Sequence, residues 1–408
     1  MTIQFPNFNY NAVLCRYGEL TLKGGNRNRF EQQLAANIKK TLPPAINIKC
    51  SRIDGRLVLL PQQADTFTSG EIYTILRKIT YIFGLVSASP AFSVPSAKET
   101  IEQVVFNNFP TLYNTLKHEH CSHHPVRYAA RVRRSTNSFP LTSTELEIEI
   151  ADKLLSQFDN LRVDLEDPEI KINIEIRGGQ SLITFENINC PGGLPGGTGG
   201  RVLGLLSGGI DSPVACYEMM RRGHLMDFIT YHSHPYTPPA TERKVKRLAD
   251  TLNSYQEPGS LYSANLLNAQ KKIREKVSPD IRTIIYRRLM LRIAEELAEN
   301  VDCQALVTGD NIGQVASQTL ENLTVIADAV QIPIFRPLLT NDKQETIRLA
   351  RHIDTYEISR EDVPDSCTVF VSGSPATKTT SEKVHDVEKE LDLEELKKEC
   401  LDNADKFD

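Results

Sequence analysis

The hexapeptide Ser207-Gly208-Gly209-Ile210-Asp211-Ser212 is the stretch of this 408-residue chain whose residue types are best suited to chemistry. It follows an apolar run, Arg201 to Leu206, and precedes Pro213, which suits a first helical turn because its missing N–H would be unpaired there. The glycines let the backbone turn tightly and bring N–H groups close to an anion, and Ser207 and Ser212 add hydroxyl donors. Such a loop is a cradle for pyrophosphate. It is neither the lysine-bearing GxxxxGK[ST] loop nor GxGxxG. Asp211 needs its own account, because a carboxylate beside phosphates repels them unless a Mg2+ ion or a helix N-terminus compensates. We read it as a Mg2+ or reacting-centre residue. An ordinary strand-to-helix turn would explain the aspartate alone, but not the six residues together.

The elements that must hold this loop follow from hydrophobic periodicity. Apolar runs at 201–206, 225–232, 260–265 and 304–310 alternate with helical patterns at 213–223, 239–252 and 284–300. Strands alternating with helices of that length imply an α/β domain with a parallel sheet covered on both faces. Ligands in such sheets bind beyond the carboxyl ends of the strands, where strand order reverses. Ahead of it, six of the nine residues Gly192 to Gly200 are glycine, which marks a boundary or a mobile active-site loop. The chain before that reads as two small α+β segments. One runs to about 90, with strands NAVLCRY and GRLVLL and helices at 28–42 and 70–84. The other spans 91–190, with helices at 99–109 and Thr142 to Phe158, a strand VRYAARV, and paired strands EIKINIEIR and SLITFEN. Near the end, Val384, Val387, Leu391 and Leu401 are spaced as on an amphipathic helix.

Composition agrees with a multidomain globular protein. Hydrophobic residues are 40% and charged residues 24%, which excludes wholesale disorder, collagen and coiled coil. No apolar run is long enough for a membrane helix, and the start MTIQFPNFNYN lacks a signal peptide's basic and apolar regions, so no membrane association and a cytoplasmic location are expected. The eight cysteines are scattered without a CxxC pair, which argues against structural zinc and stapling disulfides. Residues 381–408 carry 11 acids against 5 bases, a local −6 within a net −5, so the rest of the chain is +1. Basic residues cluster at Arg127, Arg131, Arg133 and Arg134 and at Arg16, Lys23, Arg27 and Arg29. Such patches suit a phosphate backbone, although on charge alone a solvated face is the simpler account.

SGGIDS is also the signature of the PP-loop ATP pyrophosphatases, which release pyrophosphate from ATP and adenylate a substrate. The ordered set GGLPGGTGGRVLGLLSGGIDSPVA, YRRLMLRIAEELA, LVTGDNIGQVASQTLENL, RPLLTNDKQETIRLAR and DSCTVF resembles the tRNA 4-thiouridine synthetases, or tRNA uracil 4-sulfurtransferases. RYGELTLKGGNRNRFE resembles the ferredoxin-like domain that opens those enzymes, and VRRSTNSFPLTSTELEIEIA their RNA-binding THUMP domain. The resemblance implies a ferredoxin-like domain over 1–90, a THUMP domain over 91–190, a PP-loop domain of the adenine nucleotide alpha hydrolase kind over 191–380, and an acidic helix or tail over 381–408.

It further implies that ATP adenylates C4 of uridine 8 in tRNA and that sulfur from a persulfide then displaces AMP, with ATP and Mg2+ as cofactors and no resident metal site. An amide-like carbonyl oxygen is a poor leaving group, whereas AMP is a good one. By resemblance, Leu205, Leu206, Ser207, Gly208, Gly209 and Ser212 hold the phosphates with Asp211. Thr230 and Tyr231 lie at the adenine edge, and Arg287, Gly309 and Gln318 lie around the nucleotide. Without the resemblance, Arg287 would pass for an exposed helix residue and Gly309 for a strand-end turn. Lys343 matches the activating lysine, whose ammonium would offset charge as pyrophosphate leaves. Cys367 matches the sulfur-handling thiol. It would either receive the persulfide or attack one on a donor, leaving a disulfide. The other cysteines read as small core residues.

Some relatives append a rhodanese domain, whose second thiol has no counterpart in this sequence. The sulfur source is therefore left open, as a persulfide or sulfide donor such as a cysteine desulfurase. The CxxC pair that holds an iron-sulfur cluster in some archaeal relatives is missing, so no cluster is expected. Arg16, Lys23, Arg27, Arg131, Arg133 and Arg134 are the expected contacts to tRNA phosphates, and relatives suggest a homodimer. Two alternatives are a PP-loop enzyme adenylating another acceptor, which the basic arm disfavours, and a non-catalytic THUMP RNA-binding protein, which the intact loop with Lys343 and Cys367 disfavours.

Overall fold

Short apolar runs in the first half of the chain form nine strands among the described residues, which in this computed structural model are 5–119, 124–364, 370 and 376–407. They are β1 (Ala12–Arg16), β2 (Ile48–Ile53), β3 (Arg56–Pro61), β4 (Ser87–Pro95), β5 (Val126–Arg134), β6 (Leu161–Val163), β7 (Ile170–Arg177), β8 (Gln180–Thr184) and β9 (Ile188–Asn189). The sheet order is β2-β3-β1-β4-β8-β7-β5-β6, with β9 alongside β4. Strand β4 is antiparallel to both β1 and β8, so the two α+β segments read from the sequence share one sheet. Helices α1 (Arg27–Thr41) and α2 (Ser69–Ile79) close one core around Leu34, Ile38, Ile75 and Leu59. Helices α3 (Lys98–Glu119) and α4 (Ser143–Gln157) close another around Val105, Phe109, Ile150 and Ile172. The starts of α2 and α4 are sealed by reciprocal capping boxes, Thr68 with Glu71 and Thr142 with Glu145.

The chain divides into two units, Met1–Pro195 and Gly196–Asp408. In the second, strands and helices alternate as expected: β10 (Arg201–Leu205), α5 (Asp211–Arg221), β11 (Leu225–His232), α6 (Pro239–Asn253), β12 (Leu261–Asn265), α7 (Leu267–Lys276), α8 (Arg282–Asn300), β13 (Leu306–Val307), α9 (Leu320–Ala327), β14 (Ile334–Phe335), α10 (Lys343–His352) and α11 (Tyr356–Ser359). The sheet order is β14-β13-β10-β11-β12-β15, all parallel except β15 (Asp405–Phe407), which is antiparallel to β12. A Cβ at Gly204 of β10 would lie 2.7 Å from Cys216 Sγ, so the glycine lets α5 press onto the central strand. The glycine-rich connection is tied down rather than loose: Gly197 and Gly199 both donate to the Gly223 carbonyl at 2.9 Å.

The acidic terminal stretch differs from the one continuous helix its spacing suggests. It breaks into α12 (Ser381–Glu388) and α13 (Leu393–Asp402), the second capped by the Asp392 carboxylate, which accepts from the Glu395 N–H at 3.0 Å. Val384, Leu391, Leu396 and Cys400 enter the unit's core beside Ile285 and Leu289. Glu388 meets the fully buried Arg288 and also Arg292, at 2.6 to 3.0 Å. Burial works against the Glu388 carboxylate, but the two guanidiniums hold its pKa down to about 2. No described helix is long and apolar enough to cross a membrane.

Candidate nucleotide site

From β10 the chain steps outward through β11 to β12, then returns along α8 to β13 on the other side of β10. Strand order therefore reverses between β10 and β13, and the crevice beyond their carboxyl ends is where an open α/β sheet binds ligands. A cavity of about 340 Å³ opens there. The ends of β10 and β11 contribute Leu205, Leu206, Thr230 and Tyr231. The loop contributes Ser207, Gly209, Asp211 and Ser212, α8 contributes Arg287, and the segment after β13 contributes Gly309 and Gln318. Sequence-expected nucleotide residues thus converge, except that Gly208 faces an adjoining cavity of about 500 Å³.

The loop is built from its own side chains. Ser212 Oγ accepts from the Ser207 N–H at 2.9 Å, and Ser207 Oγ accepts from the Gly209 N–H at 3.3 Å. Helix α5 starts at Asp211 without a side-chain cap, so its first-turn amides are not closed by a neighbouring side chain. That is the arrangement in which a helix N-terminus receives an anion. Gly309 brings the end of β13 against this turn: a Cβ there would stand 2.7 Å from the Ser212 nitrogen and 2.9 Å from the Asp211 carbonyl carbon.

Two carboxylates face this cavity in different settings. Asp211 is partly exposed and meets Lys343 Nζ at 2.7 and 2.9 Å, although the two residues are 132 positions apart. Gln314 Nε2 donates to the same carboxylate at 3.3 Å. Lys343 is the first residue of α10, where a cation opposes the helix dipole, and Asp211 is its counter-charge. Asp310 is buried. It pairs with Arg287 and, at 3.2 Å, with Arg336, and accepts from Thr308 Oγ1 at 2.8 Å and from Gln318 Nε2 at 3.3 Å. Burial opposes its charge, yet Arg287, Thr308 and Arg336 hold it below the usual carboxylate range. Asp310 therefore orients Arg287 and Gln318, and its signal in the sequence was only an acid at the end of QALVTGD. Tyr286 and Met290, which complete the α8 wall, sat unmarked in an ordinary helical pattern.

Cys367 lies outside the described residues, as does Cys121. Burial pushes the thiols of Cys190, Cys216, Cys303 and Cys400 up to about 12, which keeps them protonated and unreactive.

The basic residues of the first unit are used in several ways. Arg16 is committed inside the protein, with Nε 2.7 Å from Glu175 and Nη1 2.8 Å from Ser89 Oγ. Glu175 gathers Arg56 and Arg177 as well, each at 2.9 Å. Arg27 pairs with Glu31 at 2.7 Å, Lys23 lies over the Phe30 ring, and Arg134 donates to the carbonyls of Phe139 and Leu141. Arg131 and Arg133 occupy exposed positions of β5, Arg131 donating to the Leu165 carbonyl at 2.9 Å.

Comparison with known proteins matches residues 197–393 to the family described as thiamine biosynthesis protein (ThiI), 12–89 to the ThiI ferredoxin-like domain and 106–186 to the THUMP domain. A probable tRNA sulfurtransferase of Alkaliphilus metalliredigens is 38% identical over 386 residues, covering 95% of both chains. The chain belongs to the tRNA sulfurtransferase family. A second tRNA sulfurtransferase, the probable enzyme of Brevibacillus brevis, is 36% identical over 96% of this chain and 95% of its own. A 4-thiouridine synthetase crystallised with RNA and bound ATP superposes with a TM-score of 0.81 at 32% identity, covering 98% of this chain and 99% of that one. Arg16, Lys23 and Arg27 fall in the stretch matched by the ferredoxin-like domain. Arg131, Arg133 and Arg134 fall in that matched by THUMP.

Proposed function

We propose that this chain thiolates tRNA at the expense of ATP, converting uridine 8 to 4-thiouridine. The observation that carries the reading is the convergence of Asp211 and Lys343 on the uncapped start of α5, beside a cavity of nucleoside size. In this reading adenosine occupies the part of the cavity bounded by Leu205, Thr230, Tyr231 and Arg287, and the triphosphate lies against the loop 207–210 and the uncapped first turn of α5. The uridine O4 attacks the α-phosphorus and pyrophosphate leaves, with Lys343 offsetting the charge that develops. Sulfur then attacks C4, and AMP departs carrying the original oxygen. When the donor is a persulfide on Cys367, a second thiol must cut the remaining S–S bond and is oxidised to a disulfide in doing so.

Asp211 also suits Mg2+, which takes one or two carboxylates together with phosphate oxygens, and the ion when bound supplies further neutralisation of the triphosphate. Residues 1–90 and 91–190 act as the ferredoxin-like and THUMP parts that dock tRNA. The exposed Arg131 and Arg133 contact phosphates first, and Lys23, Arg27, Arg16 and Arg134 reinforce the basic field. Residues 191–380 form the PP-loop part. A cysteine desulfurase supplies the persulfide, two copies of the chain serve one tRNA, and the reaction runs in the cytoplasm.

The test is to incubate the full chain with unmodified tRNA, Mg-ATP and sulfide and to follow absorbance in the 4-thiouridine band. Growth of that band only when ATP is present is the expected result. Its absence while ATP is still cleaved would point to another acceptor.

A further inference from the structure

Glu175 of β7 is only 3% exposed, a costly position for a carboxylate unless donors surround it. Its Oε1 accepts from Arg16 Nε at 2.7 Å, and its Oε2 accepts from Arg56 Nε and Arg177 Nε, each at 2.9 Å. Three guanidiniums on one carboxylate leave the cluster with two positive charges in excess. Each arginine is pinned a second time through Nη1. Arg16 donates to Ser89 Oγ at 2.8 Å and Asn187 Oδ1 at 3.1 Å, Arg56 to the Gly55 carbonyl at 3.0 Å, and Arg177 to the Asp54 carbonyl at 2.7 Å. The Nη2 groups of all three have no acceptor among the described residues, and none of them is a buried orphan, so each still meets solvent.

The cluster stands on the sheet face that α1 to α4 do not cover. Along β7, Ile172, Ile174 and Ile176 enter the core beneath α3 and α4, so Glu175 and Arg177 point the other way. Arg16 of β1 and Arg56 of β3 share that face with Leu14 and Val58, which pack there with Ala91 and Leu182. In the parallel pairing of β5 with β7, Arg133 is the register partner of Glu175, and it is exposed. Arg16 and Arg56 lie in the stretch matched by the ferredoxin-like domain, whereas Arg133, Glu175 and Arg177 lie in that matched by THUMP. Neither stretch holds the cluster alone.

We propose that Glu175 is a positioning residue for RNA docking: it fixes Arg16, Arg56 and Arg177 as an array whose remaining Nη2 donors, with Arg133 beside them, receive a phosphate of the tRNA backbone. This rests on the tRNA reading, and it brings in Arg56 and Arg177, which the sequence did not mark. A guanidinium matches phosphate oxygens with a planar set of donors, and one already held in place gives up little side-chain freedom on binding. The sign of the effect at Glu175 is diagnostic. A diffuse basic field binds RNA more tightly when an acid is removed, whereas an array that depends on its carboxylate binds more weakly.

The experiment uses the full chain and an unmodified tRNA transcript. It measures Kd by filter binding across a salt series, beside the KM for tRNA in 4-thiouridine formation from sulfide and Mg-ATP. Glu175→Gln keeps the shape and removes the charge, and it is expected to bind tRNA about tenfold more weakly although the protein becomes more positive. Arg56→Gln and Arg177→Gln should each weaken binding about tenfold and lower the salt slope by about one, with KM for tRNA rising alongside Kd. Each leaves Glu175 two guanidiniums, so these variants decide the matter where thermal unfolding shows that Glu175→Gln does not fold. Lys153→Gln removes the same charge from an exposed position of α4 and is expected to stay within about twofold of wild type. Tighter or unchanged binding in a folded Glu175→Gln, unchanged binding in the arginine variants, or equal weakening in Lys153→Gln overturns this proposal alone when the wild type makes 4-thiouridine. A wild type that neither binds tRNA nor makes 4-thiouridine overturns the tRNA reading and this proposal with it.

Discussion

The starts of α2 and α4 are finished differently from that of α5. In the first unit, α2 and α4 begin inside reciprocal threonine–glutamate boxes, and their leading amides are satisfied by their own sequence. In the second, α5 begins at Asp211 with no side-chain cap, and Gly309 packs the neighbouring strand end against that turn. Helices α1, α6, α7 and α8 also start without a side-chain cap, so what marks α5 for a ligand is the uncapped start together with the glycine loop and the cavity in front of it.

Breaking the uncapped end should have the largest effect. Asp211→Ala and Lys343→Ala should each lower tRNA-dependent pyrophosphate release by about 100- to 1,000-fold, the range for losing one preorganised charge at a reacting centre. A quenched-flow or radiolabel assay of pyrophosphate decides it. Thermal unfolding should move little in either variant, since the pair is partly exposed.

Glu388→Gln should be the largest stability loss, about 3 to 5 kcal/mol in urea unfolding, because it removes the buried Arg288's nearest counter-charge and leaves it only Asp328 at 3.8 Å. The same group gives a pH signature. Its folded pKa, about 2, lies below the unfolded carboxylate value, so its contribution is complete above that unfolded value and is lost as pH falls toward 2. Wild type should therefore lose stability through that acid window more steeply than Glu388→Gln.

Gly309→Ala should cost about 1 to 3 kcal/mol, the scale of overpacking a filled site. It should also weaken ATP binding in calorimetry, because the displaced atoms belong to the loop. Thr142→Ala sharpens the contrast from the other side. It should cost about 1 kcal/mol of stability and leave ATP binding unchanged.

What could be read from the sequence follows the range of the interactions involved. SGGIDS was legible because a phosphate loop is built within six residues, and the parallel sheet was legible because each strand is a local apolar run. Asp310 was not, since its meaning depends on Arg287, Arg336 and Gln318 arriving from separate elements. Lys244 reads as a solvent-facing residue in PATERKVKRLADTL, whereas its ammonium donates to carbonyls more than a hundred positions later. Strand β4, with the sequence SASPAFSVP, was missed because serine and proline hide a run whose burial comes from strands on both sides. The ion pair of Arg16 was not legible either, because nothing in its own segment announces Glu175, 159 positions away.

The three-residue strand β15 has a consequence for the border of the second sheet. It lies antiparallel along β12, pairing Leu261 with Phe407 and Ser263 with Asp405, and turns the charged Asp405 and Lys406 outward at the border of the sheet. An uncovered border would offer its amides and carbonyls to another molecule's strand, whereas a short, charged one resists such stacking. The acidic end of the chain thereby disfavours strand-to-strand pairing at this one border of the sheet.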